Sequence, residues 1–375
     1  MSDSNAVELI KRGDGRFSKR QQLDSFRQEI ALNFAPWHAS WTSQLQWGED
    51  FASHLVDGTP LLLARDYIGQ IGAMLRPPGK QWFWHRTGRD KLDNNRGIRE
   101  YLDWRSTYMM RVMTDRPTGF FRATKQADEF FGLFGDAVIS VDTDHMQEGL
   151  RIGTFHTKDC VWAIGPENKA NAVTRKEMVS ARNFVVRFAQ KGDKIHEKIK
   201  EAAEKNPDQE FEIRHEVLPA DEYDAFKKPG MSRQSGQFAS VWVDVTNRCI
   251  IRETTTRTMR YVVPRSVTLP GNPYGISMAT IIALPDARLI QQQALAILEA
   301  AEKSVNPPLL AVQDAVRGDM SFQANGITWL DKSYDERTGD AIKPMEIGKN
   351  FRLGVESLLR TEAQLTKAFY LDVLR

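Results

Sequence analysis

Asp142, Asp144 and His145 form the most compact group of potential metal ligands in the sequence, directly after a run of β-branched residues. Two carboxylates one residue apart at the end of a strand offer the hard oxygen atoms that a divalent cation prefers. A metal-dependent nucleic-acid-processing enzyme could therefore hold its ion at Asp142 and Asp144. A polar turn that closes a strand explains the same residues and is the more frequent arrangement.

A second group of residues has the composition of a nucleic-acid-binding surface. The segment 82–85, Trp-Phe-Trp-His, is followed by Arg86 and Arg89. Aromatic rings interleaved with cations are typical of proteins on which the bases of a single strand stack. The segment could be the centre of a monomeric binding module. A core segment or a subunit interface has the same composition, so both alternatives stay open.

The sequence lacks the common motifs of catalysis. It contains no Gly-x-x-x-x-Gly-Lys-Ser/Thr loop, no Gly-x-Gly-x-x-Gly fingerprint, no His-Glu-x-x-His pair and no Gly-x-Ser-x-Gly elbow. Its seven histidines are scattered, and neither cysteine stands at a spacing that pairs it with one of them. We therefore expect no catalytic residue, no metal and no cofactor, so that any ATP hydrolysis must come from another protein.

The final segment, 351–375, is predicted to be an amphipathic helix. Its apolar residues recur every three or four positions, at Val355, Leu358, Leu365, Phe369 and Val373. Arg360, Gln364 and Lys367 fall on the other side. Taken alone, this polar side is an ordinary solvated helix face.

The elements that position these residues predict an α+β fold. The first third is predicted to be mostly helical, and two further helices are expected in the last third. These segments are 6–33, 59–76, 97–113, 125–134, 285–305 and 351–375. The middle alternates short β-branched runs with turns, and one exposed helix is expected at 194–206. The predicted strands are 137–142, 151–156, 160–165, 183–188, 210–218, 240–245, 249–255 and 260–264. A further short strand is expected at 327–330.

Composition excludes several classes of protein. A net charge of +2 gives no general attraction to nucleic acid. No apolar run is long enough for a membrane span, and the polar N-terminus does not resemble a secretory signal. Cys160 and Cys249 are far apart and are expected to be buried thiols. These features predict a soluble protein made in a cytoplasm.

Several pieces of sequence, in this order, resemble the portal, or head-to-tail connector, proteins of short-tailed bacteriophages. The first are FRQEIALNFAPWH (26–38) and Phe-Gly-Asp-Ala-Val (134–138). The next is the strand EFEIRHEVLP (210–219). The last is VPRSVTLPGNPYGISMATIIALPD (263–286), followed by a long helix that stops before Pro307-Pro308.

The resemblance implies a division of the subunit into three parts. Residues 1–284 would be the wing, helical over 1–134 and strand-rich over 135–284. The stem would consist of helices 285–306 and 351–375, and residues 307–350 would be the clip. In that family the chain continues into a tunnel loop and an α-helical crown, which are expected to be absent from this sequence.

The resemblance also implies a function and a set of partners. The subunit would be a non-catalytic structural component of the virion, made in the bacterial host. It would form a homo-oligomeric, dodecameric ring at one capsid vertex, through which double-stranded DNA is packaged and ejected. Arg360, Gln364 and Lys367 would face the DNA channel. The clip residues Asp331, Lys332, Tyr334, Asp335 and Arg337 would meet the large terminase subunit and the tail adaptor. Major capsid and scaffolding proteins would be further partners, and no membrane would be involved.

Overall fold

The computed structural model describes residues 4–44, 46, 48–143, 149–190, 192–226, 237–305, 309–311, 342–344 and 351–374. Its helices are α1 (Ser4–Phe34), α2 (Thr59–Leu75), α3 (Asp90–Asp93), α4 (Arg96–Thr114), α5 (Phe120–Phe134), α6 (Ala181–Arg187), α7 (Glu197–Lys205), α8 (Ala220–Phe226), α9 (Met278–Val305), α10 (Phe351–Ala368) and α11 (Leu371–Leu374). Single 3-10 turns lie at Pro36–His38, Arg116–Thr118 and Thr157–Asp159.

The strands form antiparallel sheets. They are β1 (Val138–Thr143), β2 (Leu150–Phe155), β3 (Cys160–Ile164), β4 (Ala170–Ser180), β5 (Glu210–Pro219), β6 (Phe238–Asp244), β7 (Cys249–Thr256), β8 (Tyr261–Val262), β9 (Val267–Thr268), β10 (Gly275–Ile276), β11 (Leu309–Ala311) and β12 (Ile342–Pro344). A five-stranded sheet has the order β3-β4-β5-β6-β7, and a three-stranded sheet has the order β2-β1-β8. Two further pairs are β9 with β10 and β11 with β12. Strands gathered between two helical regions confirm the α+β class.

In the middle of the chain, the structure differs from the sequence prediction at α6 and at β4. Residues 183–188 were expected to be a strand, but most of them lie in α6. Phe184 and Phe188, four positions apart, pack on one side against Phe211 and Trp242. This packing overrides the β-preference of the valines between them. The pattern missed strand β4, which carries several charged residues; it forms because β3 and β5 pair with both of its edges.

The helix predicted to start at Pro285 begins earlier, at Met278, and Pro285 lies inside it. Its first turn is attached to the end of α5. The hydroxyl of Ser277 donates to the carbonyl of Gly132 at 2.6 Å, and the hydroxyl of Thr280 donates to the carbonyl of Leu133 at 2.8 Å. These bonds satisfy carbonyls that the end of α5 would leave unpaired. Proline is common at the start of a helix, but these contacts extend α9 in the N-terminal direction.

The junction between α5 and α9 depends on two glycines. Gly135 ends α5 with a φ of 86°, and Gly275 lies against its backbone. A Cβ at Gly135 would collide with the backbone of Ile276, and a Cβ at Gly275 would collide with the carbonyl of Gly135. Only glycine permits both the left-handed conformation and this close approach.

The two long C-terminal helices form an antiparallel pair. Gln293 on α9 lies beside Ser357 on α10, and Ile297 lies beside Gly354. Helix α10 ends at Ala368, before the predicted end at residue 375, because Tyr370 adopts a φ of 55°. The largest hydrophobic cluster gathers residues of α1, α2, α5, α9, α10 and α11, among them Phe34, Leu133, Ile290, Leu365 and Phe369. This cluster fixes the base of the pair on the helical body.

Candidate functional sites

The polar face expected on the final helix exists. Arg360, Gln364 and Lys367 are exposed on α10, whereas Thr361 and Leu365 are buried. Within the described part of the chain, neither Arg360 nor Lys367 forms an ion pair. The two cations are therefore available to a ligand on that side of the helix.

Helix α9 is anchored along its first half only. All of its buried residues lie between Ala279 and Ile290. At the end of this stretch, Gln291 accepts hydrogen bonds from the backbone N–H groups of Val56 and Asp57 at 2.7 and 2.9 Å. Its Nε2 donates to the carbonyl of Asp57 at 2.7 Å. Because the buried residues stop there, the second half of α9 extends beyond the hydrophobic core.

Helix α10 shows the complementary distribution. Thr361, Leu365 and Ala368, its buried residues in the described part, lie in its second half. The antiparallel arrangement places the first half of α10 beside the second half of α9. The pair thus protrudes from the body and leads to the segment 306–350. Leu295 and Leu298 on α9 and Leu353 and Leu359 on α10 are exposed along this protrusion.

The residues predicted for the clip lie outside the described residues. These are Asp331, Lys332, Tyr334, Asp335 and Arg337, together with the strand expected at 327–330. The strands β11 and β12, which flank them, pair in an antiparallel register, with Leu310 opposite Lys343. The chain therefore returns to the protrusion close to where it left.

Asp142 does not form the alternative metal site with its described neighbours. Both of its carboxylate oxygens accept hydrogen bonds from Nη1 of Arg260, at 3.1 and 3.0 Å. Asp144 and His145 lie outside the described residues. Among the residues that the structure describes, no group of three or more His, Cys, Asp and Glu side chains could hold a metal ion. A guanidinium in contact with Asp142 takes the place that a cation would need.

The tryptophan-rich segment is mostly packed. The ring of Trp82 stacks on Phe120 with an interplanar angle of 5° and a centroid distance of 6.2 Å. The Oγ of Ser106 accepts a hydrogen bond from the backbone N–H of His85 at 2.8 Å, and Arg86 pairs with Asp103 at 2.7 Å. Trp84 alone among these aromatic side chains is more than half exposed. The segment therefore attaches to α4 and α5 and does not present a row of open rings.

Comparison with known proteins gives the chain its family. The model of the family described as bacteriophage head to tail connecting protein matches residues 7–375. The chain belongs to this family. A probable portal protein of Bordetella phage BPP-1 is 23% identical over 335 residues, which is 87% of this chain and 57% of that protein. The connector chain thus spans little more than half the length of this relative.

Family membership fixes the broad class of the connector. Head-to-tail connecting proteins are structural components of the phage particle. Membership therefore implies a location in the virion. No helix in the described ranges is long and apolar enough to cross a membrane.

The connector carries an exposed row of aromatic rings that the sequence prediction did not single out. On α4, Tyr101, Trp104 and Tyr108 are 56%, 61% and 56% exposed. Their ring centroids are 6.0 and 5.6 Å apart, and the last two rings are stacked. The spacing of three and four positions predicted a helix face, but it did not tell a buried face from an exposed one. Adjacent exposed aromatic rings are typical of interaction surfaces.

A cleft between the two sheets is a further feature that no local motif predicted. It has a volume of about 1050 Å³ and is lined by α5, α6 and both sheets. Its floor contains His215, which bonds to the hydroxyl of Tyr261 through Nδ1 at 2.6 Å and to that of Ser240 through Nε2 at 2.8 Å. Burial is the main reason why the pKa of His215 lies well below its ordinary value. The residues that line this cleft are dispersed from 122 to 261, so only the fold brings them together.

Proposed function

We propose that the connector chain is a portal subunit that forms a ring at one capsid vertex and conducts double-stranded DNA. The observation that carries this proposal is the antiparallel pair α9 and α10, which protrudes from the body and has an exposed polar face on α10 at the base of the protrusion. A ring of such subunits would surround a central channel with these paired helices. The ring is expected to be dodecameric, as in the family it resembles.

In this proposal Arg360, Gln364 and Lys367 face the channel. A conduit must hold a strongly charged polymer loosely enough to let it slide. Each phosphate that a cation neutralises contributes to affinity through release of counterions. Two cations per subunit, seven positions apart on α10, would screen the DNA without the dense contacts of a specific binding protein.

The family resemblance divides the chain into three proposed parts. Residues 1–284 would act as the wing, 285–306 and 351–375 as the stem, and 307–350 as the clip. Helix α9 starts within the proposed wing, so its first turns would belong to the body and the rest to the stem. The large terminase subunit and the tail adaptor would dock on the clip, at Asp331, Lys332, Tyr334, Asp335 and Arg337. Major capsid and scaffolding proteins would surround the wing.

Exposed apolar side chains support assembly into a ring. A closed ring needs two different surfaces on each subunit that meet head to tail. The aromatic row on α4 and the leucines of the protruding pair are of the kind enriched in such interfaces.

Light scattering coupled to size exclusion, with negative-stain images of the peak, tests the proposal. The expected result is a ring of about a dozen subunits with a central hole wide enough for a DNA duplex. A chain that stays monomeric at every concentration, and that does not enter particles when produced with the capsid proteins, would contradict it.

A further inference from the structure

The cleft between the sheets has an unusual set of charged side chains. Six arginines line it, with three carboxylates and no lysine among the described lining residues. The arginines come from α5, β2, β4 and β7, from the end of α6 and from the residue before β8, and they are Arg122, Arg151, Arg175, Arg187, Arg252 and Arg260. Guanidinium groups from so many elements converge only because the two sheets face one another.

We propose that this cleft binds an anion made of phosphate groups, held by its arginine side chains. The site lies on the wing side of the molecule, apart from the polar face of α10. The proposal does not depend on the portal function, because it rests on the cleft of a single chain.

The carboxylates of the cleft do not neutralise its arginines. Glu177 is shared, since its two oxygens lie 3.0 Å from Arg175 and 3.0 Å from Arg187. Asp142 lies opposite Arg151 in the register of β1 and β2, yet it pairs with Arg260.

Of the three remaining arginines, one forms an ion pair with a described residue and two do not. Arg252 pairs with Asp193 at 2.5 Å. Within the described residues, Arg122 and Arg151 form no ion pair at all. The cleft therefore keeps an excess of positive charge.

The residues at the floor of the cleft add no negative charge, and they hold the guanidinium of Arg175 in place. Burial and the charges of Arg175, Arg260 and Arg187 lower the pKa of His215, so its ring is neutral. The guanidinium of Arg175 lies 3.9 Å from the ring centroid of Phe155. Its Nε is buried and finds no hydrogen-bond acceptor in the described part of the chain. A buried donor of this kind gains from an incoming oxygen atom.

Phosphate fits this donor set. The planar fork of arginine matches the oxygen atoms of phosphate, whereas lysine would offer a point charge. The ring of Trp242 is already stacked on His215 at a centroid distance of 4.0 Å and covered by Arg187 at 4.5 Å. A ligand would therefore be recognised through its phosphates and not through stacking of a base. The volume of about 1050 Å³ accommodates several linked phosphate groups.

Calorimetric titration of the chain with pyrophosphate, at constant ionic strength in chloride, tests the proposal. We expect saturable binding that becomes about tenfold weaker or more in Arg151→Gln with Arg187→Gln, because charge-assisted hydrogen bonds are lost. The matched control is Arg65→Gln with Arg352→Gln, two exposed arginines that each pair with an acidic neighbour on their own helix. No saturable binding by the unaltered chain, or equal losses in both double variants, would overturn the proposal.

A variant with the opposite effect guards against misfolding as an explanation. Glu177→Gln removes the carboxylate shared by Arg175 and Arg187, so pyrophosphate should bind more tightly. A misfolded chain would not gain affinity, and unchanged or weaker binding would count against the proposal. Competition with a single-stranded oligonucleotide then separates the two sources of the same chemistry. Displacement of pyrophosphate identifies a nucleic-acid backbone as the ligand, and its absence identifies a free phosphate compound.

Discussion

Gln293 on α9 donates a hydrogen bond from Nε2 to Oγ of Ser357 on α10 at 2.9 Å. One turn farther along the pair, the nearest atom to a Cβ built at Gly354 is Cγ1 of Ile297, at 3.5 Å. These two contacts fix the antiparallel register of the helices, and with it the side of α10 that stays exposed. The position of Arg360 and Lys367 is thus a consequence of this register.

Reversing the charge of the proposed channel face should impair DNA packaging or retention. With Arg360→Glu and Lys367→Glu, the exposed face would repel phosphates, while the buried contacts of Leu365 remain. We expect rings of normal size and fewer filled particles, measured by negative staining and by the DNA content of particles. Arg65→Glu on α2 is the control and should leave packaging unchanged. Normal packaging and retention in the double variant would mean that this face does not line the channel.

The aromatic row on α4 should contribute to assembly and not to the stability of the single chain. Trp104 is 61% exposed, so Trp104→Ala should change the free energy of unfolding of the monomer by less than about 0.5 kcal/mol. It should shift the ring-to-monomer equilibrium toward the monomer, as measured by light scattering over a concentration series. Trp82→Ala provides the contrast, because Trp82 stacks on Phe120 and its loss should destabilise the fold itself. Unaltered assembly in Trp104→Ala would exclude the row from the interface.

Gly135 should tolerate no side chain. In Gly135→Ala the new Cβ would collide with the backbone of Ile276 while holding a φ of 86°. Overpacking and a left-handed conformation together cost about 2–5 kcal/mol. Gly271 separates the two effects, because it has a φ of 80° and no atom near its Cβ position. Gly271→Ala should therefore cost only about 1–2 kcal/mol. Chemical denaturation measures both, and equal losses would show that the collision is relieved.

Glu216 should make stability depend on pH. Burial raises its pKa to about 7, above the ordinary value of 4.5, although Thr174 donates a hydrogen bond to it. Between pH 4.5 and 7 the unfolded chain has lost this proton and the folded chain keeps it. This group therefore stabilises the fold fully below about pH 4.5 and loses that contribution as pH rises toward 7. The total is on the order of 3 kcal/mol.

The measurement for Glu216 must be a difference between two chains. Burial lowers the pKa of His156 to about 2, so this histidine contributes stability that is lost as pH falls below its ordinary value of 6.5. Its contribution opposes that of Glu216 within the same window. In Glu216→Gln the part due to Glu216 disappears, and the unfolding free energy of the unaltered chain minus that of the variant should fall from pH 4.5 to 7. A constant difference would contradict the raised pKa.

The spacing of apolar residues predicted the helices and strands better than it predicted which side chains the fold covers. The long helices and most strands follow from apolar spacing, because burial of one face requires it. The same kind of spacing put Leu365 on the apolar side of one predicted helix and Trp104 within another, 97–113, yet only Leu365 is covered. The predicted start of α9 was too late in the sequence. Its true start depends on hydrogen bonds that the hydroxyls of Ser277 and Thr280 donate to carbonyls at the end of α5, which is distant in sequence.

The candidate sites also differ in whether the sequence alone could group their residues. Arg360, Gln364 and Lys367 could be grouped from the sequence because one helix carries them. Arg151 and Arg187 could not be grouped, since they approach one cleft only after two sheets have formed. The pair Asp142 and Asp144 stood together in sequence, but the partner of Asp142 is Arg260, from a distant strand boundary.

The uneven anchoring of α9 links folding to assembly. Beyond Ile290 the helix α9 has no buried residue, and past Gln291 it packs beside α10. An isolated pair of such half-helices is marginal in water. In the proposed ring, neighbouring subunits would cover these half-helices, so the protruding pair would reach its final order only on closure. Protection of the amides of these half-helices from hydrogen exchange would then rise with protein concentration, because their folding would be coupled to assembly.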